Sequence, residues 1–173
     1  QQGRRRVANG LAAAGFVETP SFPFTTEQQN DLHGSASGEH LPSVRLANPL
    51  DGQAPFLRRS LVPGLLPTAH RNVARGTTDL ALFEVGTVFR PLPGVDYGTA
   101  TIPPGAVRPD AETLARLDAS IPPQPRHVAL LLTGSVPPKQ PGRAAEPAGI
   151  EVALDGVRVV AAAAGVEIAV AQG

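Results

Sequence analysis

At 173 residues, with a formal net charge of zero and a pI near 7.1, the chain is long enough to bury a core and carries no global charge that would draw it to nucleic acid or a membrane surface. No apolar run approaches the ~20 residues that cross a bilayer, and zero cysteines exclude disulfides and thiolate metal sites. With no signal-like start either, a soluble, cytoplasmic protein is expected. Nineteen prolines and eighteen glycines against six phenylalanines and one tyrosine describe short elements joined by stiff loops, and a start at Gln1 without any methionine suggests a segment of a longer polypeptide or a processed chain.

Residues Arg4 to Ala14 read as a helix, with Val7, Leu11 and Ala14 on one stripe, Ala8 and Ala12 beside it, and Gly15 placed to stop it. Such a smooth, alanine-rich face suits close packing on another helix, in this chain or in a partner. Arg4, Arg5 and Arg6 sit where the helix dipole disfavours positive charge; they are either a solvated cluster or a contact for phosphate or an acidic partner. Phe16 to Phe24 is extended, and because Pro20 and Pro23 cannot donate to a ladder it is an edge strand or one that breaks midway. Thr25 to Pro42, with Gly34 and Gly38, reads as a short helical turn and a loop. Ser43 to Ala47 is a short strand, followed by a turn at Asn48-Pro49 and Asp51-Gly52.

A second helix lies between about Ser60 and Arg75, where Leu61, Leu65, Ala69 and Val73 repeat every fourth residue and Gly76 closes the end. Pro63 fits its first turn, but Pro67 predicts a kink or a later start. It feeds Leu80 to Arg90, a strand by its β-branched and aromatic content. Ala81, Phe83, Val85, Thr87 and Phe89 share one face; Glu84, Gly86 and Arg90 share the other with Leu80, Leu82 and Val88. The first face packs. The second is either a floor on which a polar ligand lies or a half-exposed surface bearing an ordinary Glu and Arg.

Residues 91–125 form a Pro-rich surface excursion, interrupted by a brief helix that Asp110 caps and that contains Leu114 and Leu117. His127 to Thr133 is a nearly continuous apolar strand of the buried kind, Pro137 to Pro147 a loop, Ile150 to Ala164 a helix ending at Gly165, and Val166 to Val170 the start of a final strand. No repeat or clean boundary divides residues 1–173, so a single α+β domain is expected.

Sites that announce themselves by spacing are absent. There is no phosphate loop, dinucleotide fingerprint, His-Glu-x-x-His or Gly-x-Ser-x-Gly. His33, His40, His70 and His127 lack metal-ligand spacing. Ser60 and His70 stand ~15 Å apart along one helix, too far for a nucleophile and its base.

The blocks Leu57-Arg58-Arg59-Ser60-Leu61-Val62-Pro63-Gly64-Leu65-Leu66, His70-Arg71-Asn72 and Leu82-Phe83-Glu84-Val85-Gly86-Thr87-Val88-Phe89-Arg90 together resemble the bacterial phenylalanyl-tRNA synthetase β subunit, in its synthetase-like core module. Gly15-Phe16-Val17-Glu18 and Val44-Arg45-Leu46-Ala47-Asn48-Pro49-Leu50 precede them in the same order. Pro125 to Ala129 and Leu131 to Gly134 extend the resemblance more weakly toward Val170.

The resemblance implies a class II synthetase-like core: an antiparallel β-sheet flanked by helices, in a non-catalytic copy. It implies that Arg4 to Phe24 corresponds to motif 1, the dimerisation element, with Val7, Leu11, Ala14, Phe16 and Pro20 at a subunit interface. In catalytic members, motif 2 carries an ATP-binding Arg followed two residues later by Glu. Here Arg90 matches, Leu92 stands at the Glu position and Pro91 alters the loop. A motif 3 is not found. Charge stabilisation on ATP needs several oriented donors and cations, so this chain alone is expected to be inactive, with Glu84 and Arg90 as degenerate cofactor-site candidates. The implied partners are the catalytic α subunit, in an α2β2 heterotetramer holding ATP and magnesium in α, and tRNA(Phe). Two alternatives stay open: residual binding of ATP or an adenylate through Glu84 and Arg90, or tRNA binding through Arg4 to Arg6 and Arg71 to Arg75.

Overall fold

A computed structural model describes residues 2–35, 40–98, 103–142 and 144–170. Gly38, named in the polar loop, lies outside them. In chain order the elements are α1 (Gln2–Ala13), β1 (Val17–Glu18), β2 (Phe24–Thr25), α2 (Glu27–His33), β3 (Phe56–Leu57), α3 (Val62–Ala74), β4 (Leu80–Thr87), α4 (Ala111–Ala119), β5 (Arg126–Thr133) and α5 (Ile150–Ala164). They form two compact units. The first comprises residues 1–22, 61–86 and 126–173, the second residues 23–60 and 87–125.

The first unit is built on a three-stranded sheet in the order β1-β4-β5. β1 pairs with β4 in parallel, Val17 opposite Leu82 and Glu18 opposite Phe83, and Thr19 N extends the ladder to Phe83 O at 2.8 Å. The wholly antiparallel sheet expected from the sequence is therefore corrected to one with a parallel edge. The chain reaches β4 from β1 through a long connection that includes α3, and such a helical crossover returns a strand in the parallel sense.

Helices cover both faces of β4. Phe83 and Val85 join Val7, Leu11 and Phe16 in one buried cluster, with Val128, Leu130, Leu132, Val159, Val160 and Ala163 packed around it. Leu80 and Leu82 join Leu65 and Ala69 in the other. α1 does pack on another helix of this same chain, with Val7, Leu11 and Ala8 against Val159, Val160 and Ala163; the close approach falls at Gly10, outside the stripe foreseen, where a Cβ would lie 3.2 Å from Val159 Cγ1 of α5, while Ala12 and Ala14 are exposed. α3 starts at Val62 and keeps Pro67 in its interior, so the late start expected is not seen; lacking an N–H, Pro67 leaves the Pro63 carbonyl without its helical donor. Its sequence stripe is buried through Ala69, while Val73 is exposed.

Gly15, Gly76 and Gly165 end their helices as foreseen, all at positive φ. The next amide in each case reaches back five residues, from Phe16 to Leu11, Thr77 to Asn72 and Val166 to Ala161, each at 3.0 Å. Two expectations fail here. β5 is half-buried rather than fully buried, because it is the outer strand of its sheet, and Val166 to Val170 forms no strand among the described residues.

In the second unit β2 and β3 are antiparallel, Phe24 opposite Leu57 and Thr25 opposite Phe56. The extended segment from Phe16 thus breaks midway, between its two prolines. The strand expected at Ser43 to Ala47 reduces to a single bridge between Arg45 and Phe56, bounded by Pro42, Pro49 and Pro55, which cannot donate. β4 likewise ends at Thr87 rather than Arg90. Val88 N and Arg90 N still donate, to Pro125 O at 3.1 Å and Pro123 O at 2.9 Å, but those prolines return no N–H and the ladder lapses.

Asp110 caps α4, its carboxylate accepting from Thr113 N at 2.7 Å. That hydrogen bond, foremost, holds its carboxyl below the ordinary aspartate range. A depressed carboxyl stabilises the fold above the unfolded pKa of about 4 and loses that contribution as pH falls through its folded pKa. In Asp110→Ala, hydrogen exchange at the Thr113 amide is expected to speed up at neutral pH, and the difference from wild type should vanish in strong acid. A difference that persists unchanged there would assign the effect to something other than the carboxylate.

Candidate functional site

The polar strand face seen in the sequence divides between the two units: Glu84 belongs to the first and Arg90 to the second. Glu84 is only 3% exposed, so the half-exposed surface reading is corrected for this residue. Leu80 and Leu82 on its face are covered by α3, and that helix extends over the carboxylate as well. Ser21 donates its hydroxyl to Glu84 Oε2 at 2.7 Å. A Cβ on Gly64, in the first turn of α3, would lie 3.3 Å from the same oxygen and 2.0 Å from Ser21 Oγ. Leu61 at the N-cap supplies no side-chain hydrogen bond, and a carboxylate near a helix N-terminus is favoured by the dipole. Glu84 therefore ties β4, α3 and the segment leaving β1 into one structure. Its charge is turned inward rather than presented to solvent.

The second unit holds a buried polar cluster that the sequence reading passed over. Asn30 of α2 is almost wholly buried; its Nδ2 donates to Ser43 Oγ and Leu57 O, each at 3.0 Å, and its Oδ1 accepts from Arg59 N at 3.0 Å. α2 is set by a capping box in which Thr26 and Gln29 exchange hydrogen bonds. Arg58 and Arg59 are both buried. Arg58 Nε donates to Thr87 O at 3.0 Å, and Arg59 Nη1 donates to Pro42 O. Arg90 is exposed at its side chain. Burial, and secondarily the charge of Arg90, push the Arg59 guanidinium below its ordinary pKa. The signal for this cluster was present in Arg58-Arg59-Ser60, but one strand's alternation does not reveal that a distant asparagine and a proline carbonyl will roof it.

The residues expected at a subunit interface separate into two groups. Val7, Leu11 and Phe16 are buried in the chain's own core, whereas Ala14 and Pro20 are exposed. Beside these, Val17 is 59% exposed and Phe22 is 83% exposed. Arg4 forms an ion pair with Glu18 at 2.9 Å, which ties the basic start of α1 to β1. Arg71 is hydrogen-bonded to Thr68 Oγ1 at 3.0 Å.

Among the described residues no group of three His, Asp or Glu side chains could hold a metal, and no helix is long and apolar enough to cross a membrane. Two cavities stand out. One of about 410 Å³ in the first unit is lined by Thr68, Asn72, Asp79 and Ser135 among others; one of about 1140 Å³ in the second borders α4, with Arg108 and Arg116 on its wall. Neither includes Glu84 or Arg90.

This arrangement of helices and sheets has counterparts among known proteins. The fold is similar to that of a solved structure described as Desulfitobacterium hafniense PylSc, a pyrrolysyl tRNA synthetase, with a TM-score of 0.53 at 22% identity over 95% of this chain and 46% of the other. That likeness establishes an α+β fold of the class II synthetase kind. The phenylalanine–tRNA ligase beta subunit of Leifsonia xyli subsp. xyli is 52% identical over 165 residues, covering 95% of this chain and 19% of its own. That of Streptomyces avermitilis is 40% identical over 174 residues, covering 100% and 21%. The chain thus spans about a fifth of the length of these curated relatives. Residues 1–173 match the family described as the phenylalanyl tRNA synthetase beta chain CLM domain, so the blocks from Gly15 to Arg90 are read correctly as those of a synthetase-like module, and the chain belongs to that family.

Proposed function

We propose that residues 1–173 act as a non-catalytic module of a phenylalanine–tRNA ligase β subunit, supporting assembly with the catalytic α subunit for aminoacylation of tRNA(Phe). The observation that carries this reading is the fate of Glu84. A carboxylate that is buried, bonded to Ser21 and pressed against Gly64 is part of the scaffold and offers little to a nucleotide or its magnesium. With Leu92 at the position where motif 2 carries glutamate, the oriented charges that ATP activation requires are lacking. ATP and magnesium would accordingly be held by α, within a cytoplasmic α2β2 heterotetramer.

The assembly surface proposed here keeps the first helix and its exit segment but changes the residues that meet the partner. Val7, Leu11 and Phe16 would shape that surface from beneath. Ala14, Val17, Pro20 and Phe22 would touch α, Phe22 as the aromatic anchor of the kind that dominates protein interfaces. In full-length β, Phe22→Ser is expected to weaken association with α by about tenfold or more in analytical ultracentrifugation, with little effect on the stability of free β. Retention of normal association by β lacking residues 1–173 would refute the assembly reading, and calorimetric heat from millimolar ATP and magnesium with β alone would restore the nucleotide reading.

A further inference from the structure

In the second unit, the described residues supply no counter-charge to the guanidinium groups of Arg59 and Arg90. Arg59 is 5% exposed. Its Nη1 reaches Pro42 O and its main-chain N reaches Asn30 Oδ1, but its Nε is buried with no hydrogen-bond partner. Its stem is confined too, since a Cβ on Gly34 would lie 3.1 Å from Arg59 Cδ. Phe89 N donates to Arg58 O at 2.9 Å, which lays the Phe89-Arg90 backbone beside Arg58-Arg59. The Arg90 side chain is exposed and has no ion pair or hydrogen bond among the described residues. Carbonyl oxygens satisfy donors but do not neutralise charge. Two neighbouring guanidiniums, one withdrawn from water, create a positive field whose natural complement is an oxyanion.

The surroundings favour a protein as the source of that anion. Leu92, two residues beyond Arg90, is 56% exposed, and an apolar side chain beside an unpaired cation suits the boundary between the core and rim of a protein interface. Stacking platforms for nucleotide bases are scarce in a chain that is 4% aromatic, and zero net charge provides no broad electrostatic footprint for RNA. We propose that Arg90, backed by the buried charge of Arg59, receives an aspartate or glutamate side chain from a partner subunit. This rests on the assembly reading above and adds the chemistry of one contact to it. Burial depresses the Arg59 pKa first and the charge of Arg90 second; a carboxylate on Arg90 would offset the second of these.

The test uses full-length β and its α subunit. Arg90→Gln is expected to weaken assembly by about tenfold at low salt, and Arg90→Glu by more, with a shallower salt dependence than wild type. Free β should move the other way: its melting temperature should hold or rise in Arg90→Gln and rise further in Arg90→Glu, where the new carboxylate can serve Arg59 internally. A purely structural Arg90 would lower stability in both variants and so overturn the proposal. Assembly of Arg90→Glu at wild-type affinity would also overturn it, as would unchanged assembly accompanied by weaker, strongly salt-dependent tRNA binding, which would assign the pair to RNA phosphate. If β lacking residues 1–173 assembles normally, the assembly reading itself fails; if that deletion abolishes assembly while Arg90→Glu is silent, only the carboxylate contact fails.

Discussion

Phe83→Ala is expected to destabilise the chain by about 3–5 kcal/mol, the range for truncating a buried aromatic where neighbours cannot close the cavity. Phe83 is completely buried on β4, among Val7, Leu11, Phe16 and Val85, with side chains from β5 and α5 completing its surroundings. Collapse into the space is resisted from two directions. The backbone of Phe83 is held by Thr19 N at 2.8 Å, and α5 already touches the underside of the cluster through Gly156, where a Cβ would lie 2.6 Å from Leu130 Cδ1 and 3.0 Å from Phe16 Cζ. Urea unfolding of residues 1–173 checks the expectation, with Val17→Ala as an exposed control that should change stability by no more than about 0.5 kcal/mol. A loss below about 1 kcal/mol for Phe83→Ala would show that the cluster does not carry the unit.

Gly64→Ala is the second large effect, an expected loss of about 1–3 kcal/mol from overpacking. Elsewhere in a helix the same change would stabilise by up to about 1 kcal/mol through propensity alone, so the sign distinguishes the two effects. The added methyl would meet Ser21 Oγ at 2.0 Å and Ser21 Cβ at 2.8 Å. Ser21 cannot simply turn away, because its hydroxyl is bonded to buried Glu84. Adding Ser21→Gly should recover part of the loss, giving a coupling between the two sites that a double-mutant cycle reads directly. Additive effects would show that helix and segment do not meet there, and the structural role assigned to Glu84 would fall with them.

The pattern of success along the chain has a physical basis. The ends of α1, α3 and α5 were legible because each stop is local: a glycine at positive φ and one reaching amide lie within a few residues. Asp110 was legible as a cap for the same reason. The strand character of Leu80 to Thr87 followed from side-chain type, and its alternation correctly separated Phe83 and Val85 from Leu80 and Leu82. What alternation could not reveal was that both faces would be covered, since a glutamate among leucines reads equally well as a solvent-facing residue or as a buried one with a partner. Ser21 and Gly64, which settle that choice, are 63 and 20 residues away in sequence. Arg59 was obscured in the same manner: its burial depends on Asn30 and Pro42, brought together by α2 and by the pairing of β3.

The sequence by itself determined the helices and their ends, the β character of the central strand, the absence of a self-evident catalytic constellation and, through several ordered blocks, the family. Those properties reside in short-range periodicity, turn chemistry and the order of blocks along the chain, all of which survive without a fold. The tertiary structure alone decided that β1 runs parallel to β4, that Val7, Leu11 and Phe16 face inward, that Glu84 is buried and bonded to Ser21, and that Arg59 is buried while the exposed Arg90 side chain has no ion pair among the described residues. Each is a matter of which distant surface covers a side chain, and burial converts the same residue from a solvated charge into a structural bond or an unmet demand for a partner.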